Sequence, residues 1–507
     1  MPTAIARSKK KVEYGDFQTP SALARDVCRT LAKLDVRPAT ILEPTCGRGS
    51  LLEAAAEVFG DAVQIVGFDV NPDYVAWTQR QLKRFQPAKT IVVESSDFFE
   101  TDWPSRLARL NDPLLLIGNP PWVTNSALGG LGSGNLPEKK NSHGLRGIEA
   151  LTGKSNFDIS EWMLLRMIEW MQGRDATLAM LCKTAVARKI LHRGWSSGAA
   201  WSAASLYGID ALQHFEASVD ACLLVIRSTA DSKQAEPTAA VFDNLASTKP
   251  SAAIGLRDGA LVADVVAFER SRHLVGRSPI AWRSGVKHDC SKVLELRREG
   301  DCFRNGLGEL VSLEPQFVFP MLKSSDIAQG KSTSNRWMLV TQRSTGEDTS
   351  EIEQSAPQTW DYLSRHAELL DRRGSSIYRG RPRFSVFGVG EYTFTPWKVA
   401  ISGFYKRLTF QLVGPAADLP VVLDDTCYFL PCHSEGQARM FSEMLNSEAA
   451  QQFLSAFVFW DSKRPITIDL LQRLDLLKLA EQLGIMLPPF QTSSRRKSSQ
   501  NGQQQLF

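Results

Sequence analysis

The stretch Ile41-Leu42-Glu43-Pro44-Thr45-Cys46-Gly47-Arg48-Gly49-Ser50 leads from an apolar segment, through two glycines, into the helical pattern Leu51 to Phe59. Glycines at 47 and 49 let the backbone turn tightly and approach a ligand at the helix N-terminus with no Cβ in the way. Alone, such a turn fits a plain strand-to-helix connection equally well. The next apolar segment ends in Gly67-Phe68-Asp69-Val70-Asn71-Pro72. This puts a carboxylate roughly 20 residues past the glycine turn, where doubly wound sheets hold a ribose diol. Two features in register are stronger than either. A third segment ends in Ser95-Ser96-Asp97-Phe98, an acceptor beside an aromatic face suited to an adenine ring. Taken singly, Asp97 would read as a helix cap; as the third strand-end acid in succession it reads as a ligand contact.

Outward from these turns, residues 20 to 227 alternate between helical stretches such as 21–34 and short β-rich runs. The runs fall at 39–43, 64–69, 90–93, 114–118, 176–182 and 221–227. This alternation predicts an α/β, Rossmann-like unit: a mainly parallel sheet with helices on both faces. Ser228 to Pro237 reads as a linker, which puts a boundary near 235–250. Residues 250–490 alternate less regularly, with strand-like runs at 398–402, 408–413 and 420–430 and helical ones at 435–456 and 467–483, and are expected to form an α+β domain. Residues 1–14 carry Arg7, Lys9, Lys10 and Lys11 without apolar periodicity and read as a basic flexible arm; 491–507 is Ser/Gln-rich and reads as a disordered tail.

Composition narrows the function classes without choosing one. The net charge is only +4 over 507 residues, so contact with a polyanion has to come from local patches. The eight cysteines are scattered and follow no apolar leader, which fits a reducing cytoplasm and no disulfides. No uncharged apolar run reaches membrane-spanning length, so no membrane partner is expected. Cys427, Cys432 and His433 have no second ligand pair and read as buried small side chains rather than a zinc site. No metal is expected.

The chemistry is carried by Leu114-Leu115-Leu116-Ile117-Gly118-Asn119-Pro120-Pro121-Trp122. An apolar strand delivers Asn119 to the carboxyl edge of the sheet, where such folds bind ligands. Pro120 and Pro121 fix φ and remove backbone donors, so the corner presents acceptors. The Asn119 side-chain oxygen and the Pro120 carbonyl can together accept both hydrogens of an amino group, polarising its lone pair. Trp122 offers a flat face for a base. The competing reading is a rigid turn with a core Trp.

The order Gly15-Asp16-Phe17-Gln18-Thr19-Pro20, then Glu43 to Gly49, Asp69, Asp97 and Asn119 to Trp122, resembles the gamma group of adenine-N6 DNA methyltransferases. These are restriction-modification enzymes in which a class I methyltransferase domain precedes a target recognition domain. The motifs span residues 15 to about 227, with Trp at the fourth motif position where many relatives carry Tyr or Phe. The resemblance implies transfer of a methyl group from S-adenosyl-L-methionine to N6 of an adenine rotated out of double-stranded DNA. It assigns the methyl donor to Thr19, Pro20, Glu43, Gly47, Asp69 and Asp97, with Pro44, Cys46, Gly49, Val70, Phe98 and Asn119 beside them. Asn119, Pro120, Pro121 and Trp122 form the catalytic corner. It further implies a methyltransferase domain over 15–240, a target recognition domain over 250–490, and a separate restriction endonuclease as a candidate partner of a monomeric enzyme.

In that family a second aromatic packs on the target base just before a late strand. Phe215, ahead of Ala221 to Arg227, matches the placement, with a core Phe as the competing reading. Lys183 reads as a solvated lysine, its alternative a place in the substrate channel. The glycine-rich stretch 126–146, with Lys139, Lys140 and Arg146, is expected to be a mobile loop beside DNA. Arg372, Arg373, Arg379, Arg381 and Arg383 fall within thirteen residues together with aromatics and are the leading candidates for DNA contact, ahead of Phe404 to Arg407 and Lys463-Arg464. The final Gln503-Gln504-Gln505-Leu506-Phe507 resembles a sliding-clamp docking peptide, with Gln503, Leu506 and Phe507 as contacts. Two alternatives remain at this stage: a methyltransferase acting on rRNA guanine N2 or a protein glutamine, and a DNA-binding subunit without activity.

Overall fold

The computed structural model describes residues 17–86, 88–123, 158–230, 235–278 and 280–487. The basic arm 1–14, the glycine-rich loop 126–146 and the tail bearing Gln503, Leu506 and Phe507 lie outside the described residues. The chain divides into two compact units, Met1–Val265 and Val266–Phe507.

In the first unit, strand β4 (Leu114–Gly118) is buried at every position, the signature of a central strand covered on both faces. Around it lie β1 (Thr40–Glu43), β2 (Gln64–Asp69), β3 (Thr90–Ser95), β5 (Ala176–Lys183), β6 (Ala203–Ile209), β7 (Ala221–Ser228), β8 (Thr238–Phe242), β9 (Ala252–Arg257) and β10 (Ala260–Val262). They form one ten-stranded sheet in the order β10-β9-β8-β6-β7-β5-β4-β1-β2-β3. From β3 to β5 every pairing is parallel, so β1 to β4 all end at one edge. Strand β7 then inserts antiparallel between β5 and β6.

The helices are α1 (Ser21–Lys33), α2 (Ser50–Val58), α3 (Pro72–Leu82), α4 (Trp103–Leu107), α5 (Ile159–Trp170), α6 (Thr184–Ser196) and α7 (Ala211–Phe215). Helix α1 carries Leu23, Val27 and Leu31 at helical spacing, and these pack with Leu52 and Ala55 of α2 onto Ile41, Leu115, Ile117 and Leu181. The alternate strand residues Leu42, Leu114, Leu116, Leu178 and Met180 point to the other face and are equally buried, so both faces of the sheet are covered. Polar caps set the helix starts near the sheet edge: Asn71 accepts from Asp73 N–H ahead of α3, and Asp158 from Ser160 N–H ahead of α5.

The expected break at 235–250 moves. The linker at Ser228 to Pro237 leads into β8, β9 and β10, which extend the same sheet, and the first unit continues to Val265. These strands have three to six residues and mixed burial, too short to stand out from the sequence.

The second unit is mixed α and β. One sheet orders β11 (Arg283–Ser284), β20 (Cys427–Cys432), β17 (Trp397–Ser402) and β18 (Gln411–Val413). The other orders β14 (Leu310–Val311), β13 (Cys302–Asn305), β12 (Glu295–Glu299), β16 (Arg336–Leu339), β15 (Val318–Leu322) and β19 (Val422–Leu423). The helical run expected over 435–456 is two helices, Glu435–Asn446 and Glu448–Ser455, because the Ser447 hydroxyl accepts the Ala450 amide and starts a new cap. Asp475 divides the 467–483 run in the same way, accepting from Leu477 N–H. Cys427 and Cys432 are buried thiols. No helix among the described residues is long and apolar enough to cross a membrane.

Candidate active site

The parallel order β3-β2-β1-β4 brings the ends of four neighbouring strands to one edge. Glu43 ends β1, Asp69 ends β2, Asp97 follows β3 and Asn119 follows β4. These four separately read signals therefore lie together at that edge.

At the end of β4 the Asn119 amide nitrogen donates to the Phe17 carbonyl at 3.0 Å and to Thr19 Oγ1 at 3.3 Å. Its Oδ1 is buried and accepts no hydrogen bond among the described residues. The donor side of the amide is thus tied to the segment ahead of α1, and the acceptor side is left open. Thr19, expected beside the methyl donor, spends its hydroxyl on orienting Asn119. Pro120 is buried and Pro121 half-buried, so neither contributes a donor.

On β1, Glu43 is 3% exposed and its Oε2 also lacks a partner among the described residues. Burial, reinforced by the charge of Asp69, raises its carboxyl well above the usual carboxylate range, and the Leu52 amide offsets this only in part. An unpaired buried carboxyl is costly, so the arrangement suits a cationic or hydrogen-bonding ligand. Pro44 is buried behind it.

The turn that follows requires glycine. Gly47 has φ +50° and Gly49 φ +75°, and a Cβ on Gly49 would lie 2.4 Å from Thr78 Cγ2. Asp69 braces this turn: one oxygen accepts the Gly47 amide at 2.8 Å and the other the Asn71 amide at 2.9 Å. The neighbouring Val70 is 49% exposed, an apolar surface open beside the acid. Cys46 turns inward, 5% exposed, its thiol pushed up by burial; its contribution is the backbone bond to the Phe68 carbonyl.

Two expectations need correction. Phe98 does not present an open face: it is 6% exposed and wedged among Trp103, Trp170, Trp162 and Phe99, with ring centroids 5.2 to 6.0 Å away. Asp97 accepts the Phe99 amide at 2.7 Å, the turn-capping role open to it from the start. The second correction concerns the rings at the corner. Trp122 and Phe215, both 5% exposed, are not the walls of an open slot; their centroids lie 5.1 Å apart at an interplanar angle of 69°. Phe17 completes a trio, 5.8 Å from Trp122 and 6.3 Å from Phe215. The indole N–H donates to the Leu181 carbonyl at 3.3 Å. Both aromatics lie at the corner, and they cover one another.

Sequence reasoning misassigned one residue. Lys183 is not solvated: its Nζ donates to the Trp122 carbonyl at 2.9 Å and to Asp158 Oδ2 at 2.6 Å. Only its place at the end of β5 signalled this.

Within the second unit the arginine run does not act as one patch. Arg373 is structural, its guanidinium donating to the carbonyls of Leu370, His288 and Ser385 and lying 3.8 Å from the Tyr378 ring centroid. Arg372 pairs with Glu368, and Arg383 with Asp371 at 2.9 Å. Arg379 and Arg381 are exposed and make no ion pair among the described residues.

A parallel sheet with an inserted antiparallel β7, a glycine turn after β1, acids at the next two strand ends and an amide acceptor after β4 define a class I S-adenosylmethionine-dependent methyltransferase. No protein-family model matches the chain. It is 45% identical over 475 residues to the type II methyltransferase M.NspV of Nostoc sp. (strain ATCC 29411 / PCC 7524), covering 93% of this chain and 98% of that protein. The chain belongs to the type II methyltransferase family. A shorter match, 30% identical over 116 residues, covers 23% of this chain and 26% of the type II methyltransferase M.CvrRI of Paramecium bursaria Chlorella virus XZ-6E. Among solved structures, the type IIL restriction-modification enzyme MmeI in complex with DNA superposes with a TM-score of 0.51 at 13% identity. That match covers 91% of this chain and 64% of MmeI, and it supports the fold.

The residues at the strand ends fit S-adenosylmethionine, the cofactor of this class. Glu43 presents an unpaired buried carboxyl, the turn at Gly47 and Gly49 admits close approach, and exposed Val70 supplies apolar surface.

Proposed function

We propose that this protein methylates N6 of adenine in double-stranded DNA after rotating the nucleotide out of the helix. Family membership makes it a DNA methyltransferase of restriction-modification type; the adenine target is the finer reading. The observation that carries it is the buried Asn119 Oδ1 at the end of β4, without a hydrogen-bond partner among the described residues, with its own NH2 tied back to Phe17 and Thr19. Oriented this way, Asn119 accepts one hydrogen of an exocyclic amine while the Pro120 carbonyl accepts the other, which directs the nitrogen lone pair outward.

When bound, S-adenosylmethionine supplies a methyl group on a cationic sulfur. Glu43 offers the unpaired carboxyl to that positively charged donor, and Asp69, Val70 and the glycine turn support the rest of it. Asp97, Cys46, Gly49 and Pro44 shape the turn and strand ends around it, and Phe98 acts from behind as packing.

Rotating a nucleotide from the duplex costs a few kcal/mol. Stacking on Trp122 or Phe215 offsets that cost only in part, because it replaces contacts the rings already make with one another. Because these rings and Phe17 already touch, an arriving base displaces one ring from the others. The transfer would form the nitrogen–methyl bond as the sulfur–methyl bond breaks, leaving a neutral thioether and releasing one amine proton to solvent, and alignment would give most of the acceleration. Within the second unit, Arg379 and Arg381 are exposed and make no ion pair among the described residues, which supports reading that unit as the target recognition domain.

The test is methyl uptake from labelled S-adenosylmethionine by duplex DNA, RNA and protein, followed by nucleoside analysis of the DNA. The expected product is N6-methyladenine in duplex DNA. Methylcytosine instead, or label only in RNA or protein, overturns the reading.

A further inference from the structure

The corner at 119–122 raises a mechanical question, because Pro120 and Pro121 have no N–H with which to anchor it. The hold comes from β5. Leu181 accepts the Trp122 indole N–H through its carbonyl, and two residues on, Lys183 donates to the Trp122 carbonyl at 2.9 Å. Lys183 also donates to Asp158 Oδ2 at 2.6 Å, and the pair is largely withdrawn from solvent, with side-chain exposures of 22% and 8%. Asp158 is fixed in turn. Its other oxygen accepts the Ser160 amide at 3.1 Å and the Ser160 hydroxyl at 2.6 Å, and the Ile159 amide donates to the Val123 carbonyl at 3.0 Å. A lysine this withdrawn would be costly without its carboxylate, and the carboxylate without its lysine.

We propose that Lys183 and Asp158 are positioning residues for methyl transfer: the lysine holds the Trp122 carbonyl so that the Asn119 and Pro120 oxygens keep their spacing, and Asp158 holds the lysine. This rests on the reading of the corner given above. Neither residue touches substrate or cofactor in this role, so the effect belongs in turnover rather than in binding.

The experiment compares the wild-type enzyme with Lys183→Met, Lys183→Arg and Asp158→Asn. It measures single-turnover methylation of a duplex that the wild type modifies, KM for that duplex, calorimetric affinity for S-adenosylmethionine, and the melting temperature. Lys183→Met is expected to lower the methyl-transfer rate roughly 10- to 100-fold, the scale of a displacement of about 1 Å near reacting atoms. Cofactor affinity and KM should stay within about twofold. Lys183→Arg, which keeps the charge and the donor, should recover a large part of the rate, and Asp158→Asn should fall between the two. A wild-type rate in Lys183→Met overturns the proposal, as does a loss matched by equal weakening of cofactor binding or left unrescued by arginine. If the wild type itself makes no N6-methyladenine, the reading of the target fails, while the rate comparison on its actual product still tests the positioning role.

Discussion

The corner at 119–122 and the arginine run at 372–383 are both short segments whose chemistry was written in adjacent letters, yet only the first behaves as a unit. At the corner, neighbours in sequence converge because a parallel strand delivers them to one edge and two prolines fix the turn. In the arginine run no such frame exists, and five like residues separate into three fates. Arg373 turns inward onto three carbonyls, Arg372 and Arg383 face acids, and Arg379 and Arg381 face solvent. Proximity in sequence becomes proximity in function only where the backbone dictates direction.

The sharpest way to break this comparison is at the corner. On the proposed reading Asn119→Ala removes the acceptor for the reacting amine, and turnover should fall on the order of 10³-fold, as for removal of a preorganised polar group at a reacting centre. Calorimetry should show cofactor binding retained; substantial residual activity would sink the assigned mechanism. Next in size is the contrast inside the arginine run. Arg373→Ala should lower stability by roughly 1–3 kcal/mol through the carbonyls it leaves unsatisfied, read as an earlier denaturant midpoint. The double variant Arg379→Ala/Arg381→Ala should melt like wild type but lose DNA affinity, its salt-dependence slope falling by about 2. If instead Arg373→Ala were stable and lost DNA binding, the division drawn here would be reversed.

Two smaller effects concern Glu43. Burial first, then the charge of Asp69, raises its folded carboxyl well above the ordinary 4.5, so between the unfolded and folded values the folded protein keeps a proton there that the unfolded chain has released. Stability contributed by this group is full below about pH 4.5 and is lost as pH rises through the window up to its folded value. Glu43→Gln cannot ionise and should melt higher than wild type at neutral pH, with the difference shrinking toward pH 4. Binding of a cationic donor should favour the ionised carboxylate and release a fraction of a proton. Calorimetry in buffers of different ionisation enthalpy should detect that release in wild type and not in Glu43→Gln.

Much of the first unit was legible because its central strands are continuous apolar runs bounded by turn residues. The expected runs at 39–43, 64–69, 114–118, 176–182 and 221–227 coincide with β1, β2, β4, β5 and β7 to within a residue. Strand β6 escaped notice, since Ala203–Ile209 mixes small and polar residues and is only partly buried. In the second unit, strands such as Glu295–Glu299 carry four charged residues out of five and show no alternation to read. At the site, residue types that turns demand were readable, whereas contacts across long stretches of chain were not. Lys183 looked solvated because Asp158 lies 25 residues earlier, and Phe98 looked available because Trp162 and Trp170 come from a later helix. Phe17 gave no sign that its carbonyl would orient Asn119 or its ring cover Trp122.

The contact among Phe17, Trp122 and Phe215 bears on how an adenine would be told from other bases. Any nucleobase has a flat surface, so one that slips in beside the indole exchanges one aromatic neighbour for another, and the net gain from that exchange is small. What distinguishes the incoming rings is whether they bring two hydrogens to the pair of oxygens at the corner. If adenine is the target, as proposed, the snug free state would act as a filter: a thymine, with a carbonyl where adenine has its amine, would face two acceptors with nothing to give them and would be returned to the helix.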